Sequence, residues 1–219
     1  MIEELIKTIP ESIMESLGGV FCSGREAFSG QKDIYVLGLN PGGVPDAEYG
    51  VTVSQSIDRV LDVSESNWSA YRDASWEDAK PGTWGMQPRV LHMFEILGLN
   101  PGEVPASNLI FTQSRRERYI EVRWNVLAEE CWPFHSEVIR TLGVKTIICF
   151  GKKAGKFVAS KMSAKTLADE FIENNKRRWR SEAYISDDGV KVIVASHPSI
   201  ANWRSTSADP CQMIKRVLE

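Results

Sequence analysis

Residues 33–43 read Asp-Ile-Tyr-Val-Leu-Gly-Leu-Asn-Pro-Gly-Gly. A short apolar run stops abruptly at Asn40. Pro41 restricts Asn40 to extended backbone, and Gly42 and Gly43 let the chain come close to whatever lies beside it. This is the pattern of a buried strand feeding a tight loop. Three more apolar runs follow at residues 108–112 (NLIFT), 145–150 (KTIICF) and 191–196 (KVIVAS), and residues 182–186 can pair with the last across Asp188-Gly189.

Between these runs the apolar spacing is helical. It covers residues 2–17 with an interruption at Pro10, 87–97, 117–142 with a break expected near Pro133, and 152–161. Asp209-Pro210 supplies a cap and a first-turn proline for a closing helix to Leu218. Short strands alternating with helices predict an α/β fold, a three-layer αβα sandwich around a central, mostly parallel four-stranded sheet. Ligands of such sheets bind beyond the carboxyl ends of the strands. Asn40, the turn at Gly151-Lys152-Lys153 and His197 stand at those ends. Asn108 opens its apolar run, so the rule does not by itself bring it there.

The 219 residues, 42% hydrophobic and 25% charged, suit one domain spanning residues 1–219. Residues 44–85 form an irregular insertion holding Tyr49, Trp68, Tyr71, Trp76 and Trp84. A net charge of −3 and a pI near 5.8 argue against a uniformly basic DNA-binding face. They leave room for a local basic strip, and equally for a protein with no nucleic-acid role. Cys22, Cys131, Cys149 and Cys211 form no CxxC, so no metal site and no cofactor are expected, and the thiols are read as reduced. No apolar run approaches the roughly 20 residues of a membrane span, and Met1 opens an amphipathic segment rather than a signal peptide. The expectation is a cytoplasmic monomer without membrane contact.

Each motif has a plain reading beside its functional one. Residues 38–43 match neither GxGxxG nor a Walker A loop. Asn40 presents an amide to the crevice, or it caps its own turn; the segment alone does not choose. Gly151-Lys152-Lys153-Ala154-Gly155-Lys156 is one residue short of Walker A spacing and lacks the following Ser or Thr, which argues against a nucleoside triphosphate. A helix start with two lysines can still hold a phosphate, although either lysine suits a solvated face. His197, in Ser196-His197-Pro198-Ser199, is the histidine at a strand end. His92 and His135 sit in helical stretches and read as structural. Ser199 belongs to no GxSxG, so a nucleophilic triad has no support.

The order of these segments resembles the uracil-DNA glycosylase superfamily over residues 33–204. Gly38-Leu39-Asn40-Pro41-Gly42 is similar to its water-activating motif. It resembles most the mismatch-specific and single-strand-selective branches, which carry Asn where the most active branch carries Asp. Ser107-Asn108-Leu109-Ile110 resembles the strand whose Asn reads the uracil edge. Ile147-Ile148-Cys149-Phe150-Gly151, with the turn after it, resembles the next strand and helix. His197-Pro198-Ser199 resembles the histidine motif of the DNA-intercalation loop. The chain departs from the family in lacking the Tyr-His pair of the fastest branch and the cluster-ligating cysteines of the iron–sulfur branches. It continues after Ser199 as Ile-Ala-Asn-Trp-Arg, and its residues 44–85 have no counterpart.

The resemblance implies a DNA glycosylase that excises uracil or a related damaged or mismatched base, flipped from single- or double-stranded DNA, to begin base-excision repair. Asn40 would orient water and His197 would stabilise the departing base. Asn108 would read its edge within a pocket formed with Gly38, Leu39 and Pro41, and Tyr49 or Trp84 would stack on it. Ile200 or Trp203 would wedge into the duplex. Ser199, Arg204, Lys152, Lys153, Arg115 and Arg116 would contact DNA. The rival readings are a non-catalytic nucleic-acid or nucleotide binding protein of the same fold, and a hydrolase-like enzyme acting on a small ligand in the same crevice.

Overall fold

The computed structural model describes residues 1–43, 50–114 and 121–219. Tyr49, Arg115 and Arg116 lie outside the described residues. The helices are α1 (Ile2–Ile6), α2 (Val53–Leu61), α3 (Gln87–Leu97), α4 (Trp124–Leu142), α5 (Lys152–Lys161) and α6 (Cys211–Leu218). The strands are β1 (Ile34–Gly38), β2 (Ala106–Asn108), β3 (Thr146–Phe150), β4 (Thr166–Ile172), β5 (Arg180–Ile185) and β6 (Lys191–Ala195).

The strands form one sheet in the order β2-β1-β3-β6-β5-β4. β2, β1, β3 and β6 are mutually parallel, and β5 and β4 continue antiparallel from β6. The expected four-stranded sheet is therefore the parallel core of a six-stranded mixed one. The pairing of residues 182–186 with the last parallel strand is present as β5 against β6. β4 (TLADEFI) went unread because it is an edge strand whose side chains stay largely in solvent, so burial leaves no apolar run.

Side chains of the parallel strands alternate between two apolar layers, as a pleated sheet requires. Tyr35, Leu37, Ile147, Cys149 and Val192 pack with α1, α2, α4 and α5 on one face. Val36, Ile148, Phe150, Ile193 and Ala195 pack with α3 and α6 on the other. Helices thus cover both faces, which makes the three layers. The register pairs Gly38 with Asn108, Leu37 with Cys149 and Phe150 with Ala195. All four parallel strands consequently end at one edge.

Three sequence expectations change. β2 ends at Asn108 instead of beginning there. Leu109, Ile110 and Phe111 are apolar because they are fully buried in the core beyond the strand. Their chain runs past the end of β1, where Leu109 N donates to Gly38 O and Ile110 N to Leu39 O, each at 2.9 Å. Second, α4 continues through Pro133 without a break. Pro133 faces solvent, while Cys131, Phe134, His135 and Val138 around it are buried and hold the helix down.

Third, residues 44–85 are not wholly irregular. α2 opens with a capping box, in which Gln55 N donates to Thr52 Oγ1 and Thr52 N donates to Gln55 Oε1. It buries Val53, Ile57 and Val60, spaced four and three residues apart, in the core.

A buried polar triad ties β1, α4 and the segment after β2 together. His135 Nε2 lies 3.1 Å from Leu109 O, which can only accept, so Nε2 carries the proton. Nδ1 then accepts from Tyr35 Oη at 2.8 Å. Burial, the leading cause, pushes the His135 pKa down from 6.5 to about 3, outweighing the backbone hydrogen bonds that favour the charged ring. Between those values the unfolded chain takes up a proton that the folded chain refuses. Stability is therefore intact above pH 6.5 and falls by about 1.4 kcal/mol for each pH unit below it. Urea unfolding between pH 7 and pH 4.5 is expected to show this decline, and His135→Gln is expected to flatten it. An unchanged slope in the variant would remove His135 from the account.

Candidate active site

A cleft of about 680 Å³ opens at the carboxyl edge of the parallel strands. The chain leaving β1 contributes Leu39, Asn40 and Gly42, and that leaving β3 contributes Phe150, Gly151, Lys152 and Lys153. β6 continues into Ser196, His197, Ser199 and Ile200. Ser114 and the Trp179-Arg180 end of the β4–β5 hairpin complete the wall. The sheet register therefore delivers Asn40 and His197 to one cleft although 157 residues separate them.

The Asn40 amide is held by its donor end. Nδ2 donates to Pro41 O and to Ser114 Oγ, each at 2.9 Å. A carbonyl can only accept, so this contact fixes which amide atom is nitrogen. Among the described residues Oδ1 takes no hydrogen bond, which leaves an acceptor. Ser114 N in turn donates to Pro41 O at 3.1 Å, closing the loop on itself.

His197 is oriented by the residue two places on. Ser199 N donates to Nδ1 at 3.1 Å, and Ser199 Oγ lies 2.7 Å from the same atom. A backbone N–H cannot accept, so Nδ1 is unprotonated and the neutral ring carries its proton on Nε2. The loop is tight, with Ile200 N and Ala201 N both donating to His197 O. Arg89 of α3 braces it by donating to Pro198 O at 2.5 Å. Beside the ring lies Gly151, with φ +94° and ψ 157°, a region essentially confined to glycine. A Cβ there would stand 3.3 Å from His197 Cδ2.

The other expected site residues divide. Lys152 and Lys153 reach the cleft, where Lys153 also pairs with Glu121 at 3.2 Å and lies over the Trp124 ring. Ser199 and Ile200 line it, and Ile200 is 57% exposed, as a wedge must be. Trp203 cannot be one. It is fully buried, edge-on to Phe150, and donates through Nε1 to Ser196 O at 3.1 Å. Its role is to support the His197 loop from the core.

Trp84 does not line the cleft; it is exposed, and its backbone N–H donates to Gln87 Oε1 in the first turn of α3. Arg204 is exposed outside it, and Pro41 contributes its carbonyl to the loop rather than a wall. Asn108 ends β2, half-buried and outside the cleft lining, with Nδ2 donating to Cys22 Sγ at 3.5 Å. Its Oδ1 lies where a Cβ on Gly38 would fall, at 2.3 Å, so Gly38 is the residue that lets this amide lie across β1.

Away from the cleft, His92, Asp209 and Cys211 bring one candidate ligand atom each within 4.8 Å of the others. The carboxylate is committed on both oxygens, Oδ2 to His92 Nε2 and Oδ1 to Cys211 N at the start of α6. It pins the last helix to α3. The four cysteines are unpaired, and burial pushes the Cys22 and Cys131 thiols up to about 12.

A family model described as the uracil DNA glycosylase superfamily matches residues 26–219. The chain belongs to the uracil DNA glycosylase superfamily. No curated protein matches it. Members of this superfamily act on DNA, so DNA is the partner that the family implies. Among the described residues no helix is long and apolar enough to cross a membrane.

Sequence reading missed four residues in or beside this cleft. Ser114 and Arg89 act on Asn40 and on the His197 loop through contacts that no spacing announces. Trp179 and Arg180 belong to Lys176-Arg177-Arg178-Trp179-Arg180, a basic–aromatic run visible in the sequence but overlooked beside the motif-bearing loops. Gly151→Ala is expected to cost about 1–3 kcal/mol in chemical denaturation and to lower activity by crowding His197. A variant as stable as the parent would contradict the geometry given to Gly151.

Proposed function

We propose that this protein is a monofunctional DNA glycosylase that hydrolyses the N-glycosidic bond of uracil or a related base flipped out of DNA. The observation that carries the proposal is the pairing, in one cleft, of an amide whose acceptor end takes no hydrogen bond among the described residues and an imidazole with its proton on Nε2. Those are the two kinds of group the reaction asks for, an acceptor to hold water and a donor for the departing base.

The glycosidic bond breaks with its electron pair passing to the base, leaving positive charge on the sugar. His197 Nε2–H donates to O2 of the departing base, where negative charge gathers, and that bond strengthens as the transition state forms. A water held by Asn40 Oδ1 adds to C1′ and releases its proton to solvent. Asn40 has no carboxylate to take that proton, so the general-base gain of about 10²–10⁴-fold is forgone.

Asn40→Asp is not a simple remedy, because a carboxylate oxygen would face Pro41 O where Nδ2 now donates. Asn108 stands outside the cleft lining, so reading the base edge requires its amide to turn from Cys22 toward the cleft. Its present contact to Cys22 Sγ is a weak amide–sulfur hydrogen bond, and exchanging it for a pyrimidine edge costs little. Ile200 is assigned the wedge, and Lys152 and Lys153 phosphate contacts.

The test is release of free base from oligonucleotides carrying uracil opposite G, opposite A and in single strands. His197→Ala is expected to reduce release by about 10²–10³-fold, and Asn40→Ala and Asn108→Ala are also expected to reduce it. Ser114→Ala, which loosens the Asn40 amide, should lower kcat several-fold with KM nearly unchanged. DNA binding by a folded wild type that releases no base would instead favour the non-catalytic reading.

A further inference from the structure

The β4–β5 hairpin lies at the antiparallel edge of the sheet, and residues 173–179 close it immediately before β5. The turn and the first residue of β5 hold Lys176, Arg177, Arg178, Trp179 and Arg180, four cations in five residues of a chain whose net charge is −3. Trp179 and Arg180 form part of the cleft wall that also carries Asn40 and His197. This concentration of charge is therefore at the mouth of the site.

Arg177 fixes the arrangement. Its guanidinium stacks over the Trp179 ring at 4.6 Å. It pairs with Glu173, whose side chain is fully buried, through Nε at 3.2 Å and Nη2 at 3.1 Å. Its Nη1 donates to Ile200 O at 3.1 Å, on the loop that carries His197 and the wedge candidate. A charge paired with a buried carboxylate and stacked on an indole is committed to structure. Arg177 is thus a positioning residue that couples the hairpin to the His197 loop and presents one face of Trp179. Lys176, Arg178 and Arg180 are exposed, and Arg180 reaches back to Glu170 at 2.9 Å.

An aromatic face flanked by exposed cations at the rim of a cleft is the chemistry that holds an unpaired nucleotide, with the ring stacking on a base and the cations tracking the phosphates. A small organic anion would need one or two of these groups, whereas a strand uses a spaced row.

We infer that the β4–β5 hairpin is a single-strand clamp, in which Trp179 stacks on an unpaired base beside the cleft while Lys176, Arg178 and Arg180 hold the flanking phosphates. The inference rests on the reading of the cleft as a nucleic-acid site but not on catalysis. It also locates the basic strip that an acidic glycosylase needs.

The experiment is fluorescence anisotropy with a labelled single-stranded oligonucleotide carrying a tetrahydrofuran abasic site, which the enzyme cannot process. Titrations at several salt concentrations would compare wild type, Trp179→Ala, Trp179→Phe and the double variant Lys176→Ala/Arg178→Ala. Trp179→Ala is expected to weaken binding by about tenfold or more, the worth of one base–aromatic stack, and Trp179→Phe to restore most of it. The double variant should flatten the logarithmic salt slope by roughly 0.7 for each phosphate that it no longer neutralises. Equal affinity and equal slope across the set, or no binding by the wild type, would overturn the clamp. Base release by wild type with Trp179→Ala binding unchanged would sink the clamp alone. Binding that depends on Trp179 without any base release would sink the glycosylase reading alone.

Discussion

The in-register ending of four parallel strands is the constraint on which the site depends. Gly38 beside Asn108, Leu37 beside Cys149 and Phe150 beside Ala195 are hydrogen-bonded neighbours, so the chain must leave all four strands at one edge. A slip of one residue would turn Tyr35 and Leu37 from one apolar layer to the other, and the two cores forbid it. The positions of Asn40 and His197 are thus set by packing far from the cleft. The Tyr35–His135–Leu109 triad adds a polar lock to the same region, satisfied only when β1, α4 and the chain beyond β2 are all in place.

From that edge outward, each candidate reactive group is specified by its immediate neighbours rather than by its own type. Two acceptors claim the donors of Asn40, and a backbone donor claims Nδ1 of His197. These contacts fix which atom of each ring or amide is the donor and which the acceptor. Such preorganisation lowers the reorganisation that a developing charge would otherwise demand. It also explains why His197 lies against a glycine and above a buried tryptophan: the loop has little freedom to present the wrong tautomer or the wrong face.

The parallel core, the two-sided helical cover and the residues at three strand ends were legible in the sequence because burial writes itself as apolar runs. What was not legible follows from the same physics. NLIFT is apolar, but so is any buried segment, and the run does not say whether hydrogen bonds to a sheet continue along it. β4 is a strand without an apolar signature because it lies at the edge. Trp203, in a polar loop, looked like an exposed wedge, yet its indole supports the loop from inside. Pro133 signalled a break that packing on the opposite helix face prevents. The Ser114 contact to Asn40 joins residues 74 apart and has no local signature at all. α2, with its capping box and its Val53, Ile57, Val60 spacing, was readable and was passed over as part of an irregular insertion.

The central claim is that a flipped base sits between Asn40 and His197. The most direct measurement is a crystal structure of the protein with DNA carrying 2′-deoxypseudouridine, whose carbon–carbon glycosidic bond cannot be hydrolysed. The account predicts the base outside the stack and inside the cleft, with its O2-equivalent oxygen within about 3 Å of His197 Nε2 and a water on Asn40 Oδ1. A base that remains stacked, or one seated where neither group reaches it, would contradict the account.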